Sequence, residues 1–166
     1  MKPATLFSLG AFFLGALVVD PCAAEVVRYP IPNSTFPIAQ AVKVTGDATT
    51  YYISGQVPPV VSKDAEPNTP QAYGDTKTQT VGALNKIKAI LEGLGLGMGD
   101  VVKMQVFLVH DARAPMDFKA FMEGYTQFFG GGSQPNLPAR SVVGVAALAN
   151  PGFLVEIEVV AAKDTK

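Results

Sequence analysis

Hydrophobic residues recur at two different spacings along this chain, and the two spacings predict helices and strands in alternation. From Val81 to Leu94 an apolar residue stands at every third or fourth position, which is the spacing of one face of an α-helix. A second such stripe, from Phe118 to Phe129, is largely aromatic, and we interpret it as core packing. Shorter or alternating apolar runs predict strands, over 41–44, 51–55, 101–109, 140–145 and 154–162.

Polar and conformationally special residues set the limits of these elements. Thr76 and Gln79 have the spacing of a capping box, in which each side chain satisfies a backbone N–H group of the first helix. Pro115 stands where the first turn of the second helix tolerates a proline. Gly46 and Asp47 predict a turn, and hence an early hairpin between the first two strands.

Two segments show no such periodicity. Residues 25–36 contain prolines and are expected to run extended over the surface. Residues 58–75, rich in Pro, Asp and Asn, predict a surface loop longer than most connections. Their composition does not indicate what that loop does.

The predicted order of elements is ββαβαββ, which places the chain in the α+β class. We expect a mixed sheet with two helices on one face, and the 166 residues allow one domain. Apolar positions such as Phe107, Val109 and Val143 exceed what two helices can cover. This surplus favours oligomerisation through the other face of the sheet.

The first 24 residues have the composition of a signal peptide. Lys2 supplies the positive charge, residues 6–19 are almost wholly apolar, and small residues follow Cys22, so we expect cleavage before Glu25. The apolar run of about 14 residues is shorter than the roughly 20 that a membrane-spanning helix needs. The mature domain would then be residues 25–166, periplasmic or secreted, with no membrane contact after cleavage.

Composition and charge argue against several function classes. Thirteen Lys and Arg residues against 14 Asp and Glu give a net charge of −1, with no basic stripe for nucleic acid. Cys22 is the sole cysteine and leaves with the signal peptide, so the mature chain has no thiol chemistry. The single histidine, His110, is interpreted as an exposed loop residue. No metal site is therefore expected.

Two features carry possible chemistry. Arg140 stands at the start of an otherwise apolar strand, while Glu156 and Glu158 project from one face of another. A guanidinium is the preferred fork for a carboxylate, and a glutamate can order a water molecule. A structural interpretation fits the same residues equally well, in which Arg140 is an arginine at a sheet edge and the two glutamates lie on a strand face exposed to solvent. The residues alone therefore indicate an anion-binding cleft whose purpose stays open.

Several short motifs occur together in a recognisable order, and they resemble the Rid (YjgF-type) family of reactive-imine deaminases from about residue 36 to the C-terminus. The resemblance implies a chorismate-mutase-like α+β fold, a homotrimer and three clefts between subunits. The motifs are SGQVP at 54–58, GDVVK at 99–103, Tyr125 with Phe128 and Phe129, PARS at 138–141, and VEIE at 155–158.

The resemblance also implies roles for individual residues. Arg140 would grip the substrate carboxylate with help from the backbone at Val142, and Glu156 would position the attacking water. Ser54 and Gly55 would line the pocket. The implied reaction is hydrolysis of 2-imino or enamino acids, of the 2-iminobutanoate and 2-iminopropanoate type, to 2-oxo acids and ammonia. It needs no metal or organic cofactor.

The chain departs from the family pattern at three positions. Ile38 stands where a tyrosine is common, Met122 where a helix asparagine is common, and Val142 where many members have cysteine. The first two leave the substrate range open. A non-enzymatic small-molecule-binding or chaperone-like trimer of the same fold stays as an alternative. Ribonuclease activity, assigned to some relatives, is disfavoured by the net charge.

Overall fold

The computed structural model describes residues 23–110 and 115–164, so the predicted signal peptide lies almost wholly outside the described residues. Its helices and strands form an α+β fold, as predicted. A short 3₁₀ turn, Met98–Asp100, precedes the fourth strand. The elements are β1 (Glu25–Pro30), β2 (Ala39–Thr45), β3 (Ala48–Gln56), α1 (Pro70–Tyr73), α2 (Thr76–Gly93), β4 (Val101–Val109), α3 (Phe118–Tyr125), β5 (Ala139–Val145) and β6 (Val155–Asp164).

The six strands form one mixed sheet in the order β1-β2-β5-β4-β6-β3. β5 runs parallel to β4, whereas β6 runs antiparallel to both β4 and β3. The predicted early hairpin is wrong, because β2 pairs with β1 while β3 pairs with β6. Gly46 and Asp47 do lie between β2 and β3, but a turn between two strands does not decide whether they pair. Strand pairing depends on which side chains become buried together. Ile53 of β3 is buried beside Val159 of β6, which joins it to the core.

The segment expected to run over the surface begins with a strand. β1 pairs antiparallel with β2, from Glu25 opposite Thr45 onward. Arg28 of β1 attaches this strand to the rest of the fold. Its guanidinium donates to the carbonyl oxygens of Gly99 at 2.7 Å, Val101 at 3.3 Å and Leu137 at 3.2 Å. The prolines of this segment lie at or after the last residue of β1, so their positions gave no indication of the strand before them.

The two longer helices pack against each other on one face of the sheet, as predicted. Leu84, Ile87 and Leu91 of α2 are fully buried. Phe121 and Tyr125 of α3 are also fully buried, and Phe129 is 1% exposed. The aromatic stripe is therefore part of the core, as its spacing indicated. These side chains place α3 directly over the strand that carries Arg140.

The start of α2 differs from the predicted capping box. Asp75 is the N-cap, and its carboxylate accepts a hydrogen bond from the backbone N–H of Thr78 at 2.8 Å. Thr76 is the first residue inside the helix. A short carboxylate one residue earlier caps as well as a threonine and adds favourable charge at the helix N-terminus. The helix ends at Gly93, and Gly95 follows with a φ of 74°, as the glycines predicted.

Gln79, which takes no part in capping α2, joins this helix to the loop before β6. Its buried amide nitrogen donates to the carbonyl oxygens of Gly74 and Gly152, both at 2.9 Å, and its oxygen accepts from the N–H of Leu154 at 2.7 Å. Pro115 also differs from expectation, because α3 begins only at Phe118. The helix therefore starts three residues after the proline that was expected in its first turn.

Part of the long 58–75 segment is ordered by packing. Its final turn is the short helix α1, whose Tyr73 is buried against Phe153 with ring centroids 4.8 Å apart. The backbone N–H groups of Val61 and Ser62 both donate to the carbonyl of Ala72. This segment therefore covers the end of the sheet where β6 begins.

Candidate functional site

Arg140 reaches into an aromatic enclosure on the helix-covered face of the sheet. It lies opposite Met104 of β4, and paired residues share a face. Its guanidinium carbon is 4.1 Å from the ring centroid of Tyr125, 5.1 Å from that of Phe121 and 5.5 Å from that of Phe36. Aromatic faces attract a cation without neutralising it. The enclosure therefore holds the guanidinium in place as a full positive charge.

The hydrogen bonds of Arg140 are incomplete within the described part of the chain. Nη2 lies 3.3 Å from the thioether sulfur of Met122, a weak acceptor, while Nη1 is buried and has no hydrogen-bond partner there. Burial lowers the pKa of Arg140, and the Tyr125 hydroxyl opposes this shift. Arginine nevertheless stays protonated in proteins. A buried, charged donor without an acceptor is suited to binding an anion.

Val142 follows on the same face of β5, two residues beyond Arg140. The carbonyl of Val145 accepts from the backbone N–H of His110 in the segment after β4. Backbone groups alternate sides along a strand, so the N–H of Val142 points away from β4. β2 is paired with β5 only through Ala39 in the described residues, which leaves that edge open. The guanidinium of Arg140 and the N–H of Val142 therefore lie at the same edge of β5.

Glu156 lies on the opposite face of the sheet. It is paired with Phe107 of β4, while the neighbouring Ile157 is fully buried beneath the helices. A Cβ atom added to Gly55 would overlap the Oε1 atom of Glu156. The absence of a side chain at Gly55 thus gives the carboxylate its position. Ser54 is exposed beside it.

A shallow cavity of about 210 Å³ lies on this second face. It is lined by Ser54, Lys103, Gln105 and Glu158, with the 82%-exposed ring of Tyr52 at its side. The ammonium of Lys103 donates to the hydroxyl of Ser141 at 3.3 Å. The lining includes polar groups and both signs of charge, so it can bind water beside Glu158, on the same face of the sheet as Glu156.

One chain therefore brings the predicted site residues together in two groups, not one. Arg140 and Val142 share the helix-covered face, whereas Glu156, Gly55 and Ser54 share the other. The partners of Arg140 and Glu156 on β4 are three residues apart, an odd number, which fixes opposite faces. Arg140 and Glu156 are also two strand spacings apart across the sheet and three residues apart along it, which is about 10 Å in each direction. A small acid cannot span that distance within one chain.

Sequence reasoning missed Phe36 and the contact of Met122 with Arg140. An aromatic residue immediately before Pro37, in a segment without periodicity, was the available signal for Phe36. Met122 was noted as a departure, but its contact follows only from the packing of α3 on β5. Ile38 is half-buried, and its N–H donates to the carbonyl of Phe36 at 2.8 Å. It therefore helps to fold the segment that presents Phe36.

Residues 23–110 and 115–164 also bear on the possibility of a metal or membrane site. In these ranges no three His, Cys, Asp or Glu side chains are grouped so that they could hold a metal ion. None of the helices described there has the length and apolarity needed to cross a bilayer. His110 is exposed and its Nδ1 accepts from the N–H of Met116 at 3.2 Å, consistent with its interpretation as a loop residue.

Comparison with known proteins places these features in a family. A family model described as Endoribonuclease L-PSP matches residues 32–163. A RutC family protein of Pyrococcus horikoshii is 35% identical over 134 residues, which cover 80% of this chain and 92% of the relative. A 2-iminobutanoate/2-iminopropanoate deaminase of Dermatophagoides farinae is 34% identical over 135 residues, covering 81% of this chain and 92% of that protein.

Solved structures agree with the sequence comparison. Escherichia coli TdcF with bound serine is 31% identical, with a TM-score of 0.55, and the match covers 86% of this chain and 99% of TdcF. The match of the family model covers most of the chain, including the strands that carry Arg140 and Glu156. By its sequence, its fold and the extent of these matches, the chain belongs to the Rid (YjgF-type) family.

Proposed function

We propose that the protein hydrolyses 2-imino and enamino acids to 2-oxo acids and ammonia. The observation that carries this proposal is the buried Nη1 of Arg140, which has no acceptor within the described residues and lies at an open strand edge. At the level of the family, a deaminase role is supported by the relative named for 2-iminobutanoate and 2-iminopropanoate. The serine bound to TdcF supports a site for small amino-acid-like molecules.

The proposed mechanism uses the charges that the chain supplies. Arg140 binds the carboxylate next to the imine carbon, and the N–H of Val142 adds a hydrogen bond. Glu156 accepts a proton from water as its oxygen bonds to that carbon, which gives a carbinolamine. Because the imine reacts in its protonated form, the carbinolamine nitrogen is an amine, and it takes up the proton held by Glu156. The hydroxyl proton then passes to Glu156 as the C=O bond forms, and the C–N bond breaks to release ammonia. No electron acceptor is involved.

The separation of Arg140 and Glu156 within one chain supports a site that lies between copies of the chain. In the proposed assembly Arg140 of one subunit faces Glu156 of another, and a homotrimer closes three such clefts. Apolar surface on the sheet supports assembly, since Tyr52 is 82% exposed and Val143 43% exposed. This arrangement gives the surplus apolar strand surface a use.

We also propose that the protein acts in the periplasm or outside the cell. The support is the leader pattern of residues 1–24, and strand β1 begins at Glu25, the expected first residue after cleavage. A mature chain without cysteine is suited to an oxidising compartment.

A non-catalytic binding trimer is the second candidate, and one observation favours it. The groups suited to binding a carboxylate lie together in one chain, whereas the proposed catalytic Glu156 does not join them. Such a protein would bind 2-oxo and 2-imino acids and release them unchanged.

The deciding experiment adds purified mature protein to an amino-acid oxidase reaction and follows the decay of the imine. Deamination predicts faster decay in proportion to protein concentration, with ammonia and 2-oxo acid formed in equal amounts. Unchanged decay, with 2-oxo acid binding still detected by calorimetry, would favour the binding trimer.

A further inference from the structure

The three rings around Arg140 differ in their exposure. Phe121 and Tyr125 are fully buried, whereas Phe36 is 40% exposed. Phe36 therefore has one side towards the guanidinium, 5.5 Å from its carbon, and another towards solvent. A ligand that reaches Arg140 from solvent meets this ring.

The segment that carries Phe36 is held without any ligand. The backbone N–H of Phe36 donates to the hydroxyl oxygen of Ser34 at 3.1 Å, and the carbonyl of Phe36 accepts from the N–H of Ile38 at 2.8 Å. Tyr125 donates from its hydroxyl to the carbonyl of Pro37 at 2.9 Å. Burial raises the pKa of Tyr125 to about 12, so this donor keeps its proton at neutral pH. The ring is therefore largely ordered before binding, which lowers the entropic cost of using it.

The chemistry of a 2-imino acid places its side chain near this ring. The side chain is attached to the carbon next to the carboxylate, so its first atoms lie about as far from the guanidinium carbon as Phe36 does. On the Nη2 side of the guanidinium, the half-buried thioether of Met122 lies 3.3 Å away. The carboxylate is thus bordered by an aromatic ring and a thioether, both of which favour apolar groups.

We propose that Phe36 determines side-chain specificity, by forming an apolar wall that favours imines of hydrophobic amino acids over those of alanine or serine. This inference rests on the proposed function only in taking the anion to be a 2-imino acid. Because Phe36 lies near Arg140, its substitution could also change how Arg140 binds the carboxylate. That effect would be the same for every substrate compared, since all carry the same carboxylate. A ratio of rates between two side chains therefore removes any general effect on Arg140.

The test compares Phe36→Ala and Phe36→Leu with the wild-type protein. The measurement is kcat/KM for the imines of alanine, leucine and phenylalanine. Because a half-exposed ring offers several tens of Å² of apolar contact, we expect Phe36→Ala to lower the leucine-to-alanine preference by about 10-fold. Phe36→Leu should restore most of the preference for leucine imine but not for phenylalanine imine.

A matched control is available on the neighbouring strand. Tyr29 of β1 is an aromatic residue of similar exposure, 45%, with no part in the proposed site. Tyr29→Ala should leave the preference unchanged, and thermal unfolding should show that all three variants are folded. An unchanged leucine-to-alanine ratio in folded Phe36→Ala would overturn the inference.

Binding measurements separate this inference from the proposed function. Calorimetry with the corresponding 2-oxo acids, which cannot be deaminated, should show the same preference and its loss in Phe36→Ala. Binding with this preference but without imine turnover would overturn the deaminase proposal and leave the role of Phe36 standing. Turnover with no side-chain preference would overturn the role of Phe36 alone. No binding of any 2-oxo acid would overturn both.

Discussion

Arg140 and Glu156 face away from each other across the sheet, because their partners on β4, Met104 and Phe107, are three positions apart and so lie on opposite faces of that strand. The proposed chemistry therefore needs two copies of the chain for every site. A defect in either residue can then be compensated by a subunit that retains it. This property distinguishes a shared site from one built within a single chain.

Mixed trimers test this relationship directly. Trimers assembled from equal amounts of Arg140→Ala and Glu156→Gln chains should recover about a quarter of wild-type activity, since random assembly pairs the two intact residues in one site of four. Light scattering should first show about three times the chain mass for each parent. Activity no higher than that of either parent alone, in verified mixed trimers, would contradict the shared site.

Arg140 can also be tested by the shape of its side chain. Arg140→Ala removes a charge-assisted contact of about 2–4 kcal/mol, so kcat/KM should fall roughly 30- to 1000-fold. Arg140→Lys should recover little, because an ammonium cannot form two parallel hydrogen bonds with a carboxylate. The assay is imine decay with folded trimers, using 2-iminopropanoate. Rates like those of the wild type for Arg140→Ala would exclude the proposed mechanism.

Glu156 should affect the rate more than binding. Glu156→Gln keeps the shape of the side chain but removes its basicity, so kcat should fall while 2-oxo acid binding persists. Glu158→Gln, on the same strand face, is the matched control and should retain most of the activity. Equal losses in the two variants would mean that the general charge of this face matters, not Glu156 itself.

Gly55 offers a second way to move the same carboxylate. Gly55→Ala introduces a methyl group that overlaps Oε1 of Glu156, so the carboxylate must shift. A misplaced catalytic group costs up to about 100-fold, and we expect a fall in kcat of about 10- to 100-fold with little change in binding. Steady-state kinetics and calorimetry on the folded variant provide the check. Unchanged kcat would show that the position of Glu156 is not critical.

The strand that carries Glu156 was predictable because it has one buried and one open face. In β6 the buried Val155, Ile157 and Val159 alternate with Glu156 and Glu158, so the sequence alone shows which side each residue takes. Within β6, the pattern assigns the two carboxylates to one face without any knowledge of the fold.

The relationship between strands was not predictable in the same way. Arg140 and Glu156 could be assigned to opposite faces only from their register with β4, which depends on contacts distant in sequence. β1 was missed for a related reason, since its pairing with β2 and the contacts of Arg28 join segments that no local pattern connects. Phe36 belongs to the same class, because only the tertiary fold brings it to Arg140.

Processing of the N-terminus is the remaining prediction. Fractionation followed by N-terminal sequencing should give a soluble periplasmic or secreted protein that begins at or near Glu25. The signal peptidase should cut there because small residues precede Glu25. Full-length protein recovered from the cytosol would contradict export.

The contacts of Arg28 limit how far such processing can go. Its guanidinium holds the carbonyls of Gly99, Val101 and Leu137, and so ties the start of β4 to the segment before β5. Trimming within residues 25–27 leaves these bonds in place, whereas removal of Arg28 deprives three backbone acceptors of their donor at once. A chain cleaved as predicted, before Glu25, should therefore tolerate the loss of three further residues, whereas a cut beyond them should loosen the segment that leads into the strand of Arg140.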